Sequence, residues 1–380
     1  MNNDQDYEQL RLQFDAVVKQ LEEKEAIIQE LAEAVSAYRA AFAVFRHPLW
    51  TFSWVRRIIG RTIRALIRGA RPRLGNLHQH PPRPIYLSVH YQKLPSLVHT
   101  PRVSIVTPSF EQGRYIRRTI ESVLGQQYPS LEYFVQDGSS GDETVDILRS
   151  CQDRLSGWES KPDSGQSNAI NLGFGRCTGE IMAWINSDDV LLPGAIHAVV
   201  DYFNRYPDVD VVYGDRLLID ENDLQIGRWI LPGHDPKVLS WADYIPQETL
   251  FWRRRAWVDI GGRVDESFRF AMDWDLLVRF REAGAKFAHI PRFLGAFRIH
   301  GHQKTSAAIT DIGYQEMNRI RARIFGEIPG HKKIRKAIFP FLLRHLCADY
   351  RHQLRVFFQR HRFKFEVSRF RRSPATTDRV

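Results

Sequence analysis

From Leu10 the apolar residues of this 380-residue chain recur as Phe14, Val17, Leu21, Ile28, Leu31, Val35, Tyr38, Phe42 and Phe45, at steps that mostly alternate between four and three. Lys24 is the polar residue within that seam, and no Gly or Pro breaks it. The spacing predicts a coiled coil over 1–45, hence a homo-oligomer or a partner helix. A single amphipathic helix lying on the rest of the chain is the alternative. In the next segment Val55, Ile58, Ile59, Ile63, Leu66 and Ile67 form one helical stripe, and Arg57, Arg61, Arg64 and Arg68 form another behind Trp50, Phe52 and Trp54. An arginine face beside an aliphatic one suits an anionic membrane surface, or else a solvated face on a docking helix. Pro72, Pro81, Pro82, Pro84 and Pro95 then predict a stiff linker. Residues 46–99 therefore read as a basic amphipathic helix and a Pro-rich linker.

From residue 100 the pattern changes to short apolar runs alternating with amphipathic segments. Strands are predicted at Val103–Thr107, Leu131–Gln136, Glu180–Ile185 and Val209–Tyr213, with a strand-like run at Ala296–Ile299. Helices are predicted at Gly113–Gln126, Asp142–Leu148 and Gly165–Phe174, with Pro193 opening a further one and Asp273 leading another through Glu282. Strands alternating with helices over 100–330 predict an α/β domain, a mainly parallel sheet with helices on both faces. Beyond His331, Arg and Lys interleave with Phe339, Phe341, Phe357, Phe358, Phe363, Phe365 and Phe370 in a basic aromatic tail, 331–380.

Charge changes this picture more than bulk composition does. The formal net charge is +10. Residues 46–75 hold eight arginines and no acid, and 331–372 hold thirteen Lys/Arg against Asp349 and Glu366. Those two segments carry +19, which leaves −9 for the remainder. The chain is thus an acidic body with two basic attachments. Nothing matches a zinc finger or an RNA-recognition motif, so an anionic membrane surface is expected as partner and nucleic acid is not. Asp4, Asp6 and Glu8 oppose a signal peptide, every apolar stretch is too short to span a bilayer, and the odd, scattered Cys151, Cys177 and Cys347 suit a reducing compartment. A cytoplasmic protein, peripheral at the inner face of the cell membrane, is the expectation.

Three predicted strands end in acids: Asp137, Asp188-Asp189 and Asp215. Ligands of open α/β sheets bind beyond the carboxyl ends of strands. Acids gathered there repel one another unless a cation sits among them, and Mg²⁺ or Mn²⁺ suits such oxygen donors together with substrate phosphates. The plainer alternative is that they cap helices or make turns.

The ordered set Ser104-Ile-Val-Thr-Pro-Ser-Phe, Gln136-Asp137-Gly-Ser-Ser, Gly165-Gln-Ser-Asn-Ala-Ile-Asn171, Asn186-Ser-Asp188-Asp189, Gly261-Gly262 and Asp273-Trp-Asp275-Leu resembles the inverting glycosyltransferases of family 2, with the GT-A fold. The resemblance spans about 200 residues and excludes the first hundred and last fifty. It implies a nucleotide-sugar donor, a saccharide or lipid-linked acceptor, and a role in bacterial cell-surface polysaccharide synthesis. It places Thr107, Pro108 and Ser109 on the nucleotide pocket and makes Asp137 an acceptor of hydrogen bonds from base or ribose. Asp163, Gln166 and Asn168 fall near nucleotide and diphosphate. Asp188 and Asp189 stand at the family's ribose- and metal-binding DxD-type motif, whose first acid is here Asn186. His300 is the expected basic contact to metal or diphosphate, with Lys304 next; an ordinary loop histidine is the alternative. Gln247, Trp252 and Trp274 are candidates for the acceptor, the tryptophans by stacking or else as plain core.

Sugar transfer leaves charge on the departing diphosphate, which a divalent metal offsets, and needs a base for the acceptor hydroxyl. The expected base is Asp273, where the family often has Glu-Asp and this chain has Met272-Asp273. Asp273 and Asp275 lie roughly 200° apart on a helix, so they face different ways. Asp273 shares its face with Leu277 and Phe280 and is expected to point inward, although an N-cap role is compatible with the same position. A nucleotidyltransferase is disfavoured because Pro108-Ser-Phe-Glu-Gln-Gly-Arg114 carries one Gly. A coiled-coil scaffold with a degenerate transferase body is opposed by the retained Asp137, Asp188, Asp189 and Asp273.

Overall fold

The computed structural model describes residues 78–88, 91, 93–301 and 312–370. The coiled coil expected over 1–45, the basic helix expected from 46, and Lys304 lie outside them. An edge strand, β1 (His78–Arg83), comes first. It is followed by β2 (Val103–Ser109), α1 (Gly113–Leu124), β3 (Leu131–Asp137), α2 (Thr144–Cys151), β4 (Gly157–Ser160) and α3 (Gln166–Phe174). Then come β5 (Ile181–Trp184), β6 (Val190–Leu191), α4 (Ala195–Arg205), β7 (Val211–Ile219), β8 (Gln225–Trp229) and α5 (Pro236–Trp241). The chain continues through β9 (Phe251–Arg253), α6 (Arg254–Asp259), α7 (Met272–Glu282), β10 (Phe287–Arg298), α8 (Tyr314–Phe325) and α9 (His331–Phe370).

The strands form one sheet in the order β1-β8-β7-β9-β5-β2-β3-β4, and β10 pairs with both β7 and β6. The sheet is mixed, which corrects the expectation of a mainly parallel one. β2 runs parallel to β3 and β5, and β3 to β4, as the βα repeats require. β9 is antiparallel to both β5 and β7, and β8 turns back antiparallel on β7. The return to β8 is a tight one: Asp220 Oδ1 accepts the amides of Asn222 and Leu224. A turn that short can only join antiparallel strands. β9 has three residues, too few to show a period in the sequence.

Along the central strands alternate residues enter two apolar cores. Ile181, Ala183 and Ile185 pack with Ile116, Ile147 and Val199 of α1, α2 and α4. Met182 and Trp184 pack on the other face with Ile170 of α3, Leu239 of α5 and Leu276 of α7. Helices therefore cover both faces, each through a 3.6-residue apolar stripe. α3 sits hard on β2, because a Cβ at Gly173 would come within 2.4 Å of Val106 Cγ1. That close approach sets the height of Gln166 and its neighbours above the strand ends.

The Pro-rich stretch is more than a linker. Pro81 and Pro82 lie in β1, which pairs with β8 at the sheet edge, where a missing amide donor is tolerated. Ile85, Leu87 and Tyr91 pack on a small apolar cluster, and the guanidinium of Arg292 lies 4.2 Å from the centre of the Tyr91 ring. α4 begins at Ala195 behind Gly194 (φ 72°), so Pro193 precedes the helix instead of opening it. Packing does not break at 330 either. Phe341 of α9 is buried against Tyr244, Arg344 pairs with Asp235, and Asp349 bonds to Arg228 at 2.9 Å. Among the described residues no helix is long and apolar enough to cross a membrane.

Candidate active site

β2, β3, β5, β7 and β10 all run the same way, since β9 is antiparallel to both β5 and β7, and β10 is parallel to β7. After β4 the chain crosses β2 to place β5 on the side opposite β3. The crevice at that switch point, beyond the carboxyl ends, is where such sheets take ligands.

The loop after β5 is fixed from two directions. On one side the Thr119 hydroxyl of α1 lies 2.8 Å from the carbonyls of both Ser187 and Asp189. On the other, the wholly buried Arg298 at the end of β10 donates from its amide to Asp189 Oδ1 (3.0 Å) and from Nε to the Asp188 carbonyl (2.8 Å). Arg298 also pairs with Asp223 at 2.6 Å, which ties the β7–β8 turn to the same loop. This leaves the Asp188 carboxylate partly exposed, 3.1 Å from Nε2 of His300. The His300 ring rests on Tyr115, with centroids 4.8 Å apart. Asp189 is buried; loss of solvation, and then the charges of Asp188 and Glu248, raise its pKa well above the usual carboxylate range.

Beneath that loop lies a cation that the sequence did not single out. Arg216 of β7 sits over the rings of Phe297 (4.6 Å) and Trp229 (5.6 Å). Its guanidinium makes a two-pronged bond to the fully buried Glu248, with Nε to Oε1 at 2.8 Å and Nη2 to Oε2. Glu248 fits only because residue 295 is glycine: a Cβ there would meet the Glu248 carbonyl at 2.8 Å. Asp189, Asp243 and Glu248 all act on Arg216 electrostatically, and Arg216 in turn acts on Asp273. One arginine thus serves four carboxyl groups.

Asp273, in the first turn of α7, is half-buried, and its carboxylate accepts the backbone amide of Trp274 at 2.9 Å. Desolvation pushes it up to about 6, against the backbone amides and Arg216. The N-cap position belongs to Ala271, so Asp273 is not the cap. Asp275 is the more deeply buried of the two, which corrects the expectation that Asp273 alone points inward. Arg279 (2.8 Å) and Arg323 (2.6 Å) bind both Asp275 oxygens. Asp243, after α5, is half-buried with its Oδ1 completely enclosed. Burial and the charge of Asp273 raise its pKa well above normal.

The donor-side candidates divide. Asp137 is fully buried; Ser140 Oγ donates to its Oδ1 (2.6 Å), and the Ser140 amide and Ser160 Oγ donate to Oδ2 (2.9 and 2.6 Å). Thr107 and Pro108 are enclosed within β2, and the Thr107 hydroxyl is 2.9 Å from that of Tyr133. They form the floor of the strand and cannot line a pocket, a correction to their expected place. Ser109 Oγ is buried without a partner among the described residues, and Phe110, missed in the sequence, exposes 61% of its surface just beyond. Asp163 Oδ1 accepts the Gly165 amide (2.8 Å), and Gln166 Nε2 donates to Asn186 Oδ1 (2.8 Å). Asn168 instead binds Glu266, at 3.1 and 3.2 Å.

On the acceptor side Gln247 donates to the Trp184 carbonyl (2.9 Å), and its buried Oε1 has no partner among the described residues. Trp252 and Trp274 are wholly buried in the core, and Trp274 Nε1 donates to the Leu239 carbonyl. Neither offers a ring face to a sugar, so the stacking role is withdrawn. Asp215 also leaves the site: β7 continues to Ile219, and Asp215 binds His289 (2.9 Å) and the Leu231 amide within the sheet. The overlooked Asp243 and Glu248 had one visible signal, two acids inside the largely apolar run from Trp241 to Trp252.

Among the described residues no group of three or more His, Cys, Asp or Glu is arranged to hold a metal ion. Asp188 and His300 do supply one oxygen and one nitrogen donor within 3.1 Å of each other. Mg²⁺ and Mn²⁺ sites of this kind need one or two protein donors, the rest coming from substrate phosphates and water. The pair therefore fits such an ion in company with a diphosphate.

Residues 104–262 match the family model described as Glycosyl transferase family 2. An uncharacterized glycosyltransferase of Mycobacterium tuberculosis is 29% identical over 188 residues, 48% of this chain and 70% of that protein. An O-antigen biosynthesis protein of Myxococcus xanthus is 27% identical over 212 residues, 54% of this chain and 16% of the relative. The crystal structure of S. aureus TarS 1-349 in complex with UDP-GlcNAc aligns with a TM-score of 0.50 at 16% identity, covering 65% of this chain and 73% of that one. That likeness concerns the fold.

Proposed function

We propose, from the match of residues 104–262 to the Glycosyl transferase family 2 model, that this chain is a glycosyltransferase and moves a sugar from a nucleoside-diphosphate sugar to a hydroxyl of a saccharide or lipid-linked acceptor, with inversion, in cell-surface polysaccharide synthesis. The observation that carries this reading is Asp273: a half-buried carboxylate held by local backbone amides, raised to about 6, at the edge of the acid cluster. A base with that pKa is ionised at neutral pH yet still basic enough to take a hydroxyl proton.

In the proposed displacement the acceptor oxygen attacks the anomeric carbon while the bond from that carbon to the diphosphate oxygen breaks. The acceptor proton passes to Asp273, and the nucleoside diphosphate leaves with the bonding pair. Phe110 gives the nucleotide base an exposed ring at the end of β2, next to Ser109, whose hydroxyl has no partner among the described residues. Asp188 and His300 would hold Mn²⁺ or Mg²⁺, which when bound offsets the charge of the diphosphate. Gln247, whose buried carbonyl oxygen has no partner among the described residues, receives an acceptor hydroxyl. The exposed Lys332, Arg335 and Lys336 of α9 favour an anionic membrane surface, and residues 1–45 would make the chain a homo-oligomer.

The test incubates purified protein and Mn²⁺ with a panel of UDP-, GDP- and dTDP-sugars and follows nucleoside diphosphate release, with products identified by mass spectrometry. Slow hydrolysis of one donor without acceptor, and transfer when saccharide or lipid-linked acceptors are added, is expected. Silence across the panel would favour a non-catalytic scaffold, and pyrophosphate release a nucleotidyltransferase.

A further inference from the structure

The first turn of α7 carries Asp273, yet the residue at the N-cap of that helix is Ala271, whose methyl group accepts no hydrogen bond. Backbone amides at and just before a helix start have no partner within the helix, so buried ones need an acceptor from elsewhere. That acceptor comes from α8. Glu316, only 8% exposed, takes the amide of Arg269 on Oε1 (2.7 Å) and the amides of Phe270 and Ala271 on Oε2 (2.8 Å each). Both carboxylate oxygens are thus used on three consecutive amides that lead into α7. Asp273 itself accepts the Trp274 amide at 2.9 Å. An Asp or Ser at position 271 would compete for that amide, because an N-cap side chain accepts from the second or third residue of the helix. Ala271 together with Glu316 satisfies the lead-in turn and leaves the Trp274 amide to fix one oxygen of Asp273.

Glu316 does not act alone on its face of α8. Arg319, Ile320 and Arg323 follow it at spacings of three, four and seven, which place all four on one side of the helix. Arg319 lies 3.6 Å from the centre of the Phe268 ring and donates to Ser267 Oγ at 2.8 Å. Ile320 is fully buried, and Arg323 pairs with Asp275 at 2.6 Å. Gly313, just ahead of α8, allows close approach to Phe270, since a Cβ there would come within 3.0 Å of that ring. This face therefore holds the chain on both sides of Asp273, from Ser267 to Asp275.

We propose that Glu316 is a positioning residue for Asp273: by closing the three amides ahead of α7 it fixes the start of that helix, and with it the reach of the Asp273 carboxylate toward the acceptor hydroxyl. A carboxylate bonded to several amides is a strong support, and its loss would strand those donors in an enclosed turn. A proton passes only across hydrogen-bond distance, so a shift of about 1 Å at this turn would cost on the order of 10²-fold in rate. The proposal deepens the reading of Asp273 as the base and rests on it.

The experiment compares the unaltered full chain with Glu316→Ala, Glu316→Gln, Asp273→Asn and the double variant of Glu316→Ala with Asp273→Asn. Hydrogen exchange read by mass spectrometry reports on the turn without substrate, and nucleoside diphosphate release in the presence of acceptor reports on transfer. In Glu316→Ala the amides of 269–274 should exchange about tenfold faster or more, while those of β2 and β3 keep their rates. Its kcat should fall by about 10–10²-fold, with the KM of the donor unchanged within about twofold. Glu316→Gln, which retains one acceptor oxygen, should lie between the unaltered chain and Glu316→Ala in both readouts. In the Asp273→Asn background Glu316→Ala should cost no further rate, because a residue that acts through another then has nothing left to position. Equal losses in both backgrounds, a loss confined to KM, or unchanged exchange at 269–274 would make Glu316 a purely structural support and overturn the proposal. Should Glu316→Ala fail to fold, Glu316→Gln makes the same comparison in the same two backgrounds. A slow Asp273→Asn beside an undiminished Glu316→Ala overturns this proposal alone, whereas full transfer by Asp273→Asn overturns the reading of the base and this proposal with it.

Discussion

Two groups of buried acids lie beyond the strand ends, and they are balanced in opposite ways. At the end of β3, Asp137 is completely buried and its two oxygens accept three hydrogen bonds from Ser140 and Ser160. Around Arg216, four carboxyl groups share one guanidinium that is largely spent on Glu248, and Asp243 keeps an oxygen with no partner among the described residues. The first arrangement satisfies its charge and shapes a loop. The second leaves charge unsatisfied, and a poorly satisfied carboxylate is one that can take up a proton. The same residue type is thus fully hydrogen-bonded at one strand end and poorly satisfied at another.

The sharpest way to break this contrast is to neutralise one acid from each group. Asp273→Asn should lower transfer by about 10²–10⁴-fold, the usual contribution of a positioned base, while donor affinity measured by calorimetry stays near normal. Asp188→Asn should instead weaken donor and Mn²⁺ binding together, by tenfold or more, because Asp188 and His300, 3.1 Å apart, are the proposed holders of the metal. Trp252→Ala separates core from site: a cost of about 3–5 kcal/mol in urea denaturation is expected. Loss of acceptor affinity in a fully stable variant would restore the withdrawn stacking role. Asp137→Asn should cost about 1.5–3 kcal/mol, since hydrogen bonds to a charged acceptor are lost, whereas neutralising Asp243 should stabilise. Smallest of all, Arg344→Ala should cost less than about 1 kcal/mol, because the Arg344–Asp235 pair is half exposed on the arginine side.

Much of this arrangement was legible in the chain because it follows from short-range rules. The buried run Val103–Ser109, the amphipathic α1 and the acid-ended β3 announce themselves by period and by turn residues. So do the candidates Asp188, Asp189 and Asp273. What was hidden is long-range. β9 joins β5 to β7 by antiparallel pairing across some seventy residues of sequence, and only that pairing shows Trp252 to be core. Arg216 lies beyond the strand expected at Val209–Tyr213, and nothing local to it in the sequence points to its partner Glu248, 32 positions away. Helical angle sets Asp273 and Asp275 on different sides but does not show which is the more buried, because it says nothing about Arg323, which arrives from α8 to neutralise Asp275. The Pro-rich stretch concealed β1 because an edge strand tolerates proline where a central one does not.

The proposed role of Asp273 is that of a base kept basic by burial and the charge of Glu248, and kept ionised at neutral pH by Arg216 and the local amides; the pH dependence of transfer tests it most directly. A base must be ionised to act, so its rate falls as pH drops through its pKa. With the active donor identified, kcat/KM measured from pH 4 to 9 should lose about tenfold per unit below pH 6. Asp273→Asn should be slow at every pH and show no such limb. A variant that retains both the rate and the limb would place the base elsewhere and contradict the account.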